Sequence, residues 1–318
     1  MRVRLFYHDH CFDGAATAAV FTEFFRQTWD PGAEFVCTGL AHKASQLFDE
    51  SQFDGDENAI VDFKYSSSPR VTWWFDHHQS AFLSPEDAEH FRRDVSGKKF
   101  YDPTFKSCTK FLATVAREKF GFERPELDEL IRWADIIDGA QYPDARTAVE
   151  LGAPAMKLTL VIEAAGGDVS RKMIGWMPRR SLEDIASEPE IGALFEPLYR
   201  RHLDSIDLIR ERAECREGVI FFDLVGCGHE GYNKFIPYYL FPESVYTVSV
   251  STSSFRAKVS VGSNPWAPRE PRRNLATICE HYGGGGHPRV GAISFEPHEL
   301  DRARKAAAEI VEELRRDP

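Results

Sequence analysis

No stretch of the 318-residue chain is apolar for the length that a bilayer-spanning helix requires. Nor does it open like a secreted protein: MRVRLFYHDH offers only Leu5, Phe6 and Tyr7 as an apolar run before His8, too short for a leader. Cysteine is sparse. The six residues, Cys11, Cys37, Cys108, Cys215, Cys227 and Cys279, include no CxxC pair, so no zinc knuckle and no disulfide framework is indicated. These absences point to a reducing, cytoplasmic setting with no membrane partner. Positive charge is also short, at 39 Lys and Arg against 50 Asp and Glu, a net charge of −11. Proteins that wrap long nucleic acid carry a basic footprint. The balance argues against long duplexes and for a short anionic ligand held by a local basic patch. No internal repeat is present.

What is present suffices for a sizeable core, with 42% hydrophobic and 28% charged residues, and the length suits two ordinary domains. Strand patterns at Arg2–Tyr7, Glu34–Thr38, Asn58–Phe63 and Val71–Phe75 alternate with helical patterns. The helices are expected at Gly14–Phe25, His42–Phe48, Lys106–Phe120 and Glu126–Ile137. That alternation predicts an α/β domain with a parallel sheet, whose ligands bind outside the carboxyl ends of the strands. Thr147–Arg212 reads as helical and polar, ending in a linking helix over Ser181–Arg212 broken at Pro189 and Pro197. The pattern then resets. A strand at Gly218–Val225 and a hairpin of Ser244–Ser251 with Ser254–Gly262 come first. A short helix at Asn274–His281, a strand at Gly291–Phe295 and a closing helix at Leu300–Arg316 follow. The expected division is a first domain over 1–180, a helical linker over 181–214 and a smaller α/β domain over 215–318.

The chemistry gathers at strand ends. WFDHHQS places Asp76, His77 and His78 after an apolar strand, a mixture of carboxylate and imidazole suited to Mn²⁺, Mg²⁺, Fe²⁺ or Zn²⁺. Alone, that tripeptide fits a polar surface turn as well as it fits a ligand set. YHDHCFDGAA adds His8, Asp9, His10 and Asp13 at the end of the first strand, and VDFKY adds Asp62 at the end of another. Three such ends together can hold two metal ions roughly 3.5–4 Å apart, bridged by a carboxylate and a water. The run HYGGGGHPRVG supplies Gly284, Gly285 and Gly286, whose bare backbone can approach a phosphate, followed by His287. Arg256, in a predicted strand, is a candidate phosphate clamp.

In this order the motifs resemble the DHH phosphoesterase family, in the branch with a C-terminal DHH-associated domain. That branch includes nanoRNases, cyclic-dinucleotide phosphodiesterases and RecJ-like exonucleases. The likeness extends over nearly the whole chain: His8–Gly14, the lone Asp62, the DHH at 76–78, a later acid, and Arg256 with GGGH. The later acid matches Asp138 best, with Asp135 as competitor. The resemblance implies a dinuclear site, usually of Mn²⁺, in a cleft between two α/β domains. By position, His8 would bind the first ion, Asp13, His77 and Asp138 the second, and Asp62 both. Asp76 would orient the ligands, and His78 would touch substrate or a ligand. Arg256, His287 and Gly284–Gly286 would bind the far end of the substrate. One departure stands out: Cys11 occupies a position where many members carry a carboxylate. Cys11 is then a softer ligand, an inert small residue, or a position whose role passes to Asp9 or His10.

The activity so implied is hydrolysis of a short nucleotide by metal-activated water. The substrate would be nanoRNA, a linear or cyclic dinucleotide, or 3′-phosphoadenosine 5′-phosphate. Stacking of bases would fall to Phe12, Phe63, Tyr65 and Tyr142. The alternatives are a polyphosphate or pyrophosphate hydrolase, and a weakened nucleotide-binding sensor. The oligomeric state, homodimer included, is left open.

Overall fold

A computed structural model describes residues 1–41, 48–228 and 231–316. The helix expected over His42–Phe48 falls, apart from Phe48, outside the described residues. The chain divides into two compact units, Met1–Tyr142 with Gly152–Leu198, and Pro143–Leu151 with Tyr199–Pro318. Among the described residues no helix is long and apolar enough to cross a membrane.

The first unit opens with β1 (Arg2–His8), α1 (Phe12–Thr28), β2 (Glu34–Leu40), β3 (Glu57–Val61) and β4 (Trp73–Asp76). Next come α2 (Pro85–Arg92), β5 (Lys99–Tyr101), α3 (Cys108–Phe120) and α4 (Asp128–Asp138). After α5 (Ala145–Glu150), which belongs to the second unit, follow α6 (Pro154–Ala165), α7 (Gly167–Trp176), α8 (Leu182–Ala186) and α9 (Pro189–Arg212), the last divided between the units at Leu198. The strands form an all-parallel sheet in the order β2-β1-β3-β4-β5. Strand alternation sorts their side chains onto two faces. Val3, Leu5 and Tyr7 of β1, Ala59 and Val61 of β3, and Trp73 and Phe75 of β4 join a core with α1 and α3. The intervening Phe6, Ile60 and Trp74 join a second core with Phe53, Phe63 and Tyr65. Both faces are therefore covered, as a parallel sheet requires. The strand order reverses between β1 and β3, and at such a switch point the carboxyl ends splay to leave a crevice.

The linking stretch differs from expectation. Ser181 caps the separate α8, its hydroxyl accepting from the Asp184 amide at 3.1 Å. The next helix starts at Pro189, where a first-turn proline costs no hydrogen bond. It then runs on through Pro197 to Arg212. Proline inside a helix removes one backbone bond. Burial of Ile191, His202, Ile206 and Ile209 along the same helix offsets that loss.

The second unit continues with β6 (Glu214–Arg216), β7 (Val219–Asp223), α10 (Ile236–Leu240), β8 (Tyr246–Thr252) and β9 (Ala257–Ser263). It ends with α11 (Leu275–Glu280), β10 (Gly285–His287), β11 (Val290–Phe295) and α12 (Leu300–Arg315). Its sheet runs β10-β11-β9-β8-β7-β6, antiparallel except where β7 meets β8. The apolar stripe Ala303, Ala306, Ala307, Ile310, Val311 and Leu314 at helical spacing packs α12 on this sheet. Neither β6 nor β10 was expected. Each has three residues, below the length at which alternation is readable.

Candidate metal centre

β1 ends at His8, and Asp62 is the first residue after β3. Asp76 closes β4, with His77 and His78 in the turn beyond it. All lie at the carboxyl end of the parallel sheet, beside the switch point. Asp62 adopts φ 55°, a left-handed conformation that aspartate tolerates better than most residues. Gly14 is needed for contact: a Cβ there would stand 2.1 Å from the His8 carbonyl oxygen, so only glycine lets α1 start against the end of β1.

Three groups of side chains bring their ligand atoms within 4.8 Å of one another: His8, Cys11 and Asp62; Asp62, His77 and His78; and Asp13, His77 and Asp138. Asp62 and His77 each belong to two of them. Asp62 is 1% exposed, and neither carboxylate oxygen accepts a hydrogen bond from any described residue. Its nearest neighbours are imidazole nitrogens, of His8 at 3.5 Å, His77 at 3.5 Å and His78 at 3.8 Å. A buried carboxylate without donors is costly unless positive charge compensates. The donor set, two-fold sharing included, fits a pair of divalent cations.

The rest of the shell is braced by other groups. Asp13 accepts from the backbone amides of Cys108 at 2.7 Å and Thr109 at 3.1 Å, and from the Thr109 hydroxyl at 2.6 Å, so the first turn of α3 fixes it. His77 Nδ1 faces the Phe105 carbonyl oxygen at 3.2 Å, which leaves Nε2 toward Asp138 at 3.4 Å and Asp13 at 3.8 Å. Asp76 is fully buried, and one of its oxygens accepts from the His77 and His78 amides and pairs with His78 Nδ1 at 2.7 Å. It orients the His78 imidazole and the backbone of both histidines rather than joining a ligand group, an arrangement common around metal-binding histidines.

The charges perturb one another strongly. Burial raises Asp13 well above the usual carboxylate range, and Asp62 and Asp138 add to that. Asp138 is pushed up to about 6 by burial and by Asp62. Burial opposes ionisation of Asp62 too, but the nearby imidazoles of His77 and His8 hold it at about 2. Burial alone would depress His77, whereas Asp62, Asp13 and Asp138 raise it to about 10. Any cation bound here would thus compete with protons for the same atoms.

The competing candidates are engaged elsewhere. Asp135 takes the Lys110 ammonium at 2.6 Å and forms no part of the three groups. Asp9 accepts from the Gly167 amide at 2.9 Å and the Ser170 hydroxyl at 3.0 Å, capping α7, while His10 pairs with the Glu163 carbonyl oxygen at 3.0 Å.

The sequence matches no protein-family model and no curated protein. Solved structures do match. A pGpG-specific phosphodiesterase, PggH of Vibrio cholerae, is 19% identical with a TM-score of 0.69 over 100% of both chains. The DHH domain of a member of a ribosomal-protein family is 13% identical, TM-score 0.56, over 98% of this chain and 86% of that one. RecJ of Thermus thermophilus, in complex with Mn²⁺, is 13% identical, TM-score 0.51, over 98% of this chain and 52% of that one. The chain has the DHH-family phosphoesterase fold.

Within this DHH fold the second unit carries its own cavity, of about 480 Å³. Arg256, Lys258 and Lys234 line it with Ser251, Ser260 and Phe255. Arg256 lies in the turn before β9, not in the strand expected for it; its Nη1 donates to the Ser294 hydroxyl at 3.3 Å and its guanidinium lies 5.1 Å from the Phe255 ring centre. Burial, and then the Arg256 charge, lowers Lys258. Neither Arg256 nor Lys258 has a carboxylate partner among the described residues. The glycine run differs from the expected phosphate loop. Gly285, Gly286 and His287 form β10 and pair with Ala292, Gly291 and Val290; Gly285 and Gly286 line the cavity, whereas Gly284 and His287 do not. A Cβ on Gly284 would stand 2.2 Å from the Ala292 carbonyl oxygen, so that glycine serves strand packing, and His287 is exposed at the end of β10. The four rings expected to stack on bases, Phe12, Phe63, Tyr65 and Tyr142, are buried at 9% exposure or less and serve the core. Two aromatic residues line the cavity: Phe255, 68% exposed, and the half-buried Tyr232, whose hydroxyl pairs with Ser249. Sequence reading missed Phe255 and Lys258 because a single apolar or charged residue beside a hairpin carries no periodic signal.

Proposed function

We propose that this protein is a metal-dependent phosphodiesterase that hydrolyses short nucleotides, linear dinucleotides first among them. The observation that carries this reading is Asp62: a buried carboxylate without hydrogen bonds, shared by two potential ligand groups at the switch point of the sheet. His8, Cys11 and Asp62 would hold one ion, and Asp13, His77 and Asp138 the other, with Asp62 reaching both. The ions, Mn²⁺ or a related divalent metal, would lower the pKa of an attacking water and offset charge on the phosphoryl oxygens. The protein's own groups prepare that chemistry. Phe105 and Asp76 fix the rings of His77 and His78, so that the imidazoles present one nitrogen each without reorganising. His78, a third exposed at its side chain, would donate to a phosphoryl oxygen. Asp13, held by α3, supplies an oxygen whose direction is set before substrate arrives.

The second unit's cavity, taken by itself, suits a phosphate and a base of a short nucleotide. Arg256 and Lys258 would neutralise a second phosphate, and Phe255 offers a face for a base. A bare polyphosphate would use the cations but not the ring. The likeness to a pGpG phosphodiesterase makes pGpG the first substrate to try.

A hydrolysis panel with Mn²⁺ tests the reading: pGpG and other dinucleotides, cyclic dinucleotides, 3′-phosphoadenosine 5′-phosphate and polyphosphate. Turnover of a dinucleotide that stops on chelation is expected. Undiminished turnover in excess EDTA, or hydrolysis of polyphosphate alone, would overturn it.

A further inference from the structure

Cys11 sits at the N-cap of α1, with extended backbone angles of −137° and 130°. Helix N-caps favour Ser, Thr, Asp and Asn, whose oxygens accept a first-turn amide. The Cys11 side chain makes no capping hydrogen bond, so capping does not account for it. Its sulfur instead lies within 4.8 Å of a ligand nitrogen of His8 and a carboxylate oxygen of Asp62. Among the described residues it is the one cysteine in any such group. Independently, Asp62 on the other side of that group is 1% exposed and has two oxygens with no donor. Gly14 holds the start of α1 against His8, which fixes the spacing between sulfur and imidazole.

We propose that Cys11 is a thiolate ligand of the first metal ion, giving that position a nitrogen, sulfur and oxygen donor set that selects Zn²⁺, Fe²⁺ or Co²⁺ over Mn²⁺ and Mg²⁺. Ligation forms one sulfur–metal bond and releases the thiol proton to the buffer. The selection follows from softness: thiolate favours the later, softer ions, whereas an all-oxygen and imidazole set discriminates less against Mn²⁺. The two positions of the centre then differ in kind, one sulfur-containing and one built from Asp13, His77 and Asp138. This rests on the metal-binding reading of the site but not on any substrate.

The test is spectroscopic and uses the full chain, stripped of metal and titrated with Co²⁺. A thiolate–Co²⁺ charge-transfer band in the near ultraviolet is expected in the wild type and absent from Cys11→Ser. Cys11→Asp, which keeps a ligand at the position, should bind Co²⁺ without the band. In that variant the preference for Zn²⁺ over Mn²⁺, measured by competition, should fall by about tenfold or more, as even an outer-shell change moves metal affinity by about 10–100-fold. Bound Co²⁺ with no band in the wild type, a band that survives in Cys11→Ser, or an unchanged preference in Cys11→Asp would each overturn the thiolate assignment. No Co²⁺ binding by any form would instead overturn the metal reading of the whole site.

Discussion

Asp13 and Asp62 should separate when each is replaced, because one carboxylate is held by the fold and the other is not. The first perturbation is Asp13→Ala. The amides of Cys108 and Thr109, in the first turn of α3, both donate to Asp13 and, like all first-turn amides, have no intrahelical acceptor. The Thr109 hydroxyl is 2.9 Å from the Thr17 hydroxyl, so it keeps a partner. Two orphaned buried amides at about 1–3 kcal/mol each give a loss of about 2–6 kcal/mol. The second perturbation is Asp62→Asn, which keeps the shape and tolerates the left-handed backbone. Asp62 accepts no hydrogen bond from a described residue, and its pKa, lowered to about 2, corresponds to a net gain of about 2 kcal/mol once the imidazoles have outweighed the burial penalty. The assay is thermal unfolding of the full chain in EDTA and again with saturating Mn²⁺. In EDTA, Asp13→Ala should lower Tm by several degrees more than Asp62→Asn, at roughly 2–4 °C per kcal/mol. With Mn²⁺, wild type should gain stability by ligand binding, while Asp62→Asn should gain little or nothing. Wild-type stability of Asp13→Ala in EDTA, or an undiminished Mn²⁺ gain in Asp62→Asn, would refute the reasoning.

His77, raised to about 10, and Asp138, raised to about 6, bind protons more tightly in the folded than in the unfolded chain. Their contribution to metal-free stability is therefore present at low pH and lost as pH rises through those values. Because a cation replaces the protons, the Tm gain from Mn²⁺ should widen between about pH 6 and pH 9; a flat gain would contradict this. Asp138→Asn should lose bound metal, measured by elemental analysis, whereas Asp135→Asn should retain it, since the Asp135 carboxylate is engaged by Lys110. Arg256→Ala should raise KM for nucleotide substrates, by about 2–5 kcal/mol in kcat/KM if the contact is desolvated. Its metal content should be unchanged, and a nitrophenyl phosphodiester should be affected much less; equal loss on both substrates would show Arg256 to be structural.

By itself the sequence determined where the acids and imidazoles fall along the chain. His8, Asp62 and His77 lie at the ends of strongly apolar strands, and in a parallel sheet strand ends share one edge, so period and position sufficed to predict that these three would meet. The parallel domain and the β8–β9 hairpin were legible for the same reason, since alternation is a local property. Which acid turns inward was not local. Asp135 and Asp138 lie on one helix, and only the packing of α4 beside α3, where Lys110 takes Asp135, leaves Asp138 facing His77. The setting of the glycine run was likewise not local: its flexibility is visible in the sequence, but its place in β10 depends on β11 beside it. Nor could composition tell Phe63 or Tyr65 from Phe255, because burial depends on contacts between residues distant in the chain. Residue chemistry and period are written locally; facing, burial and partnership are decided by long-range packing.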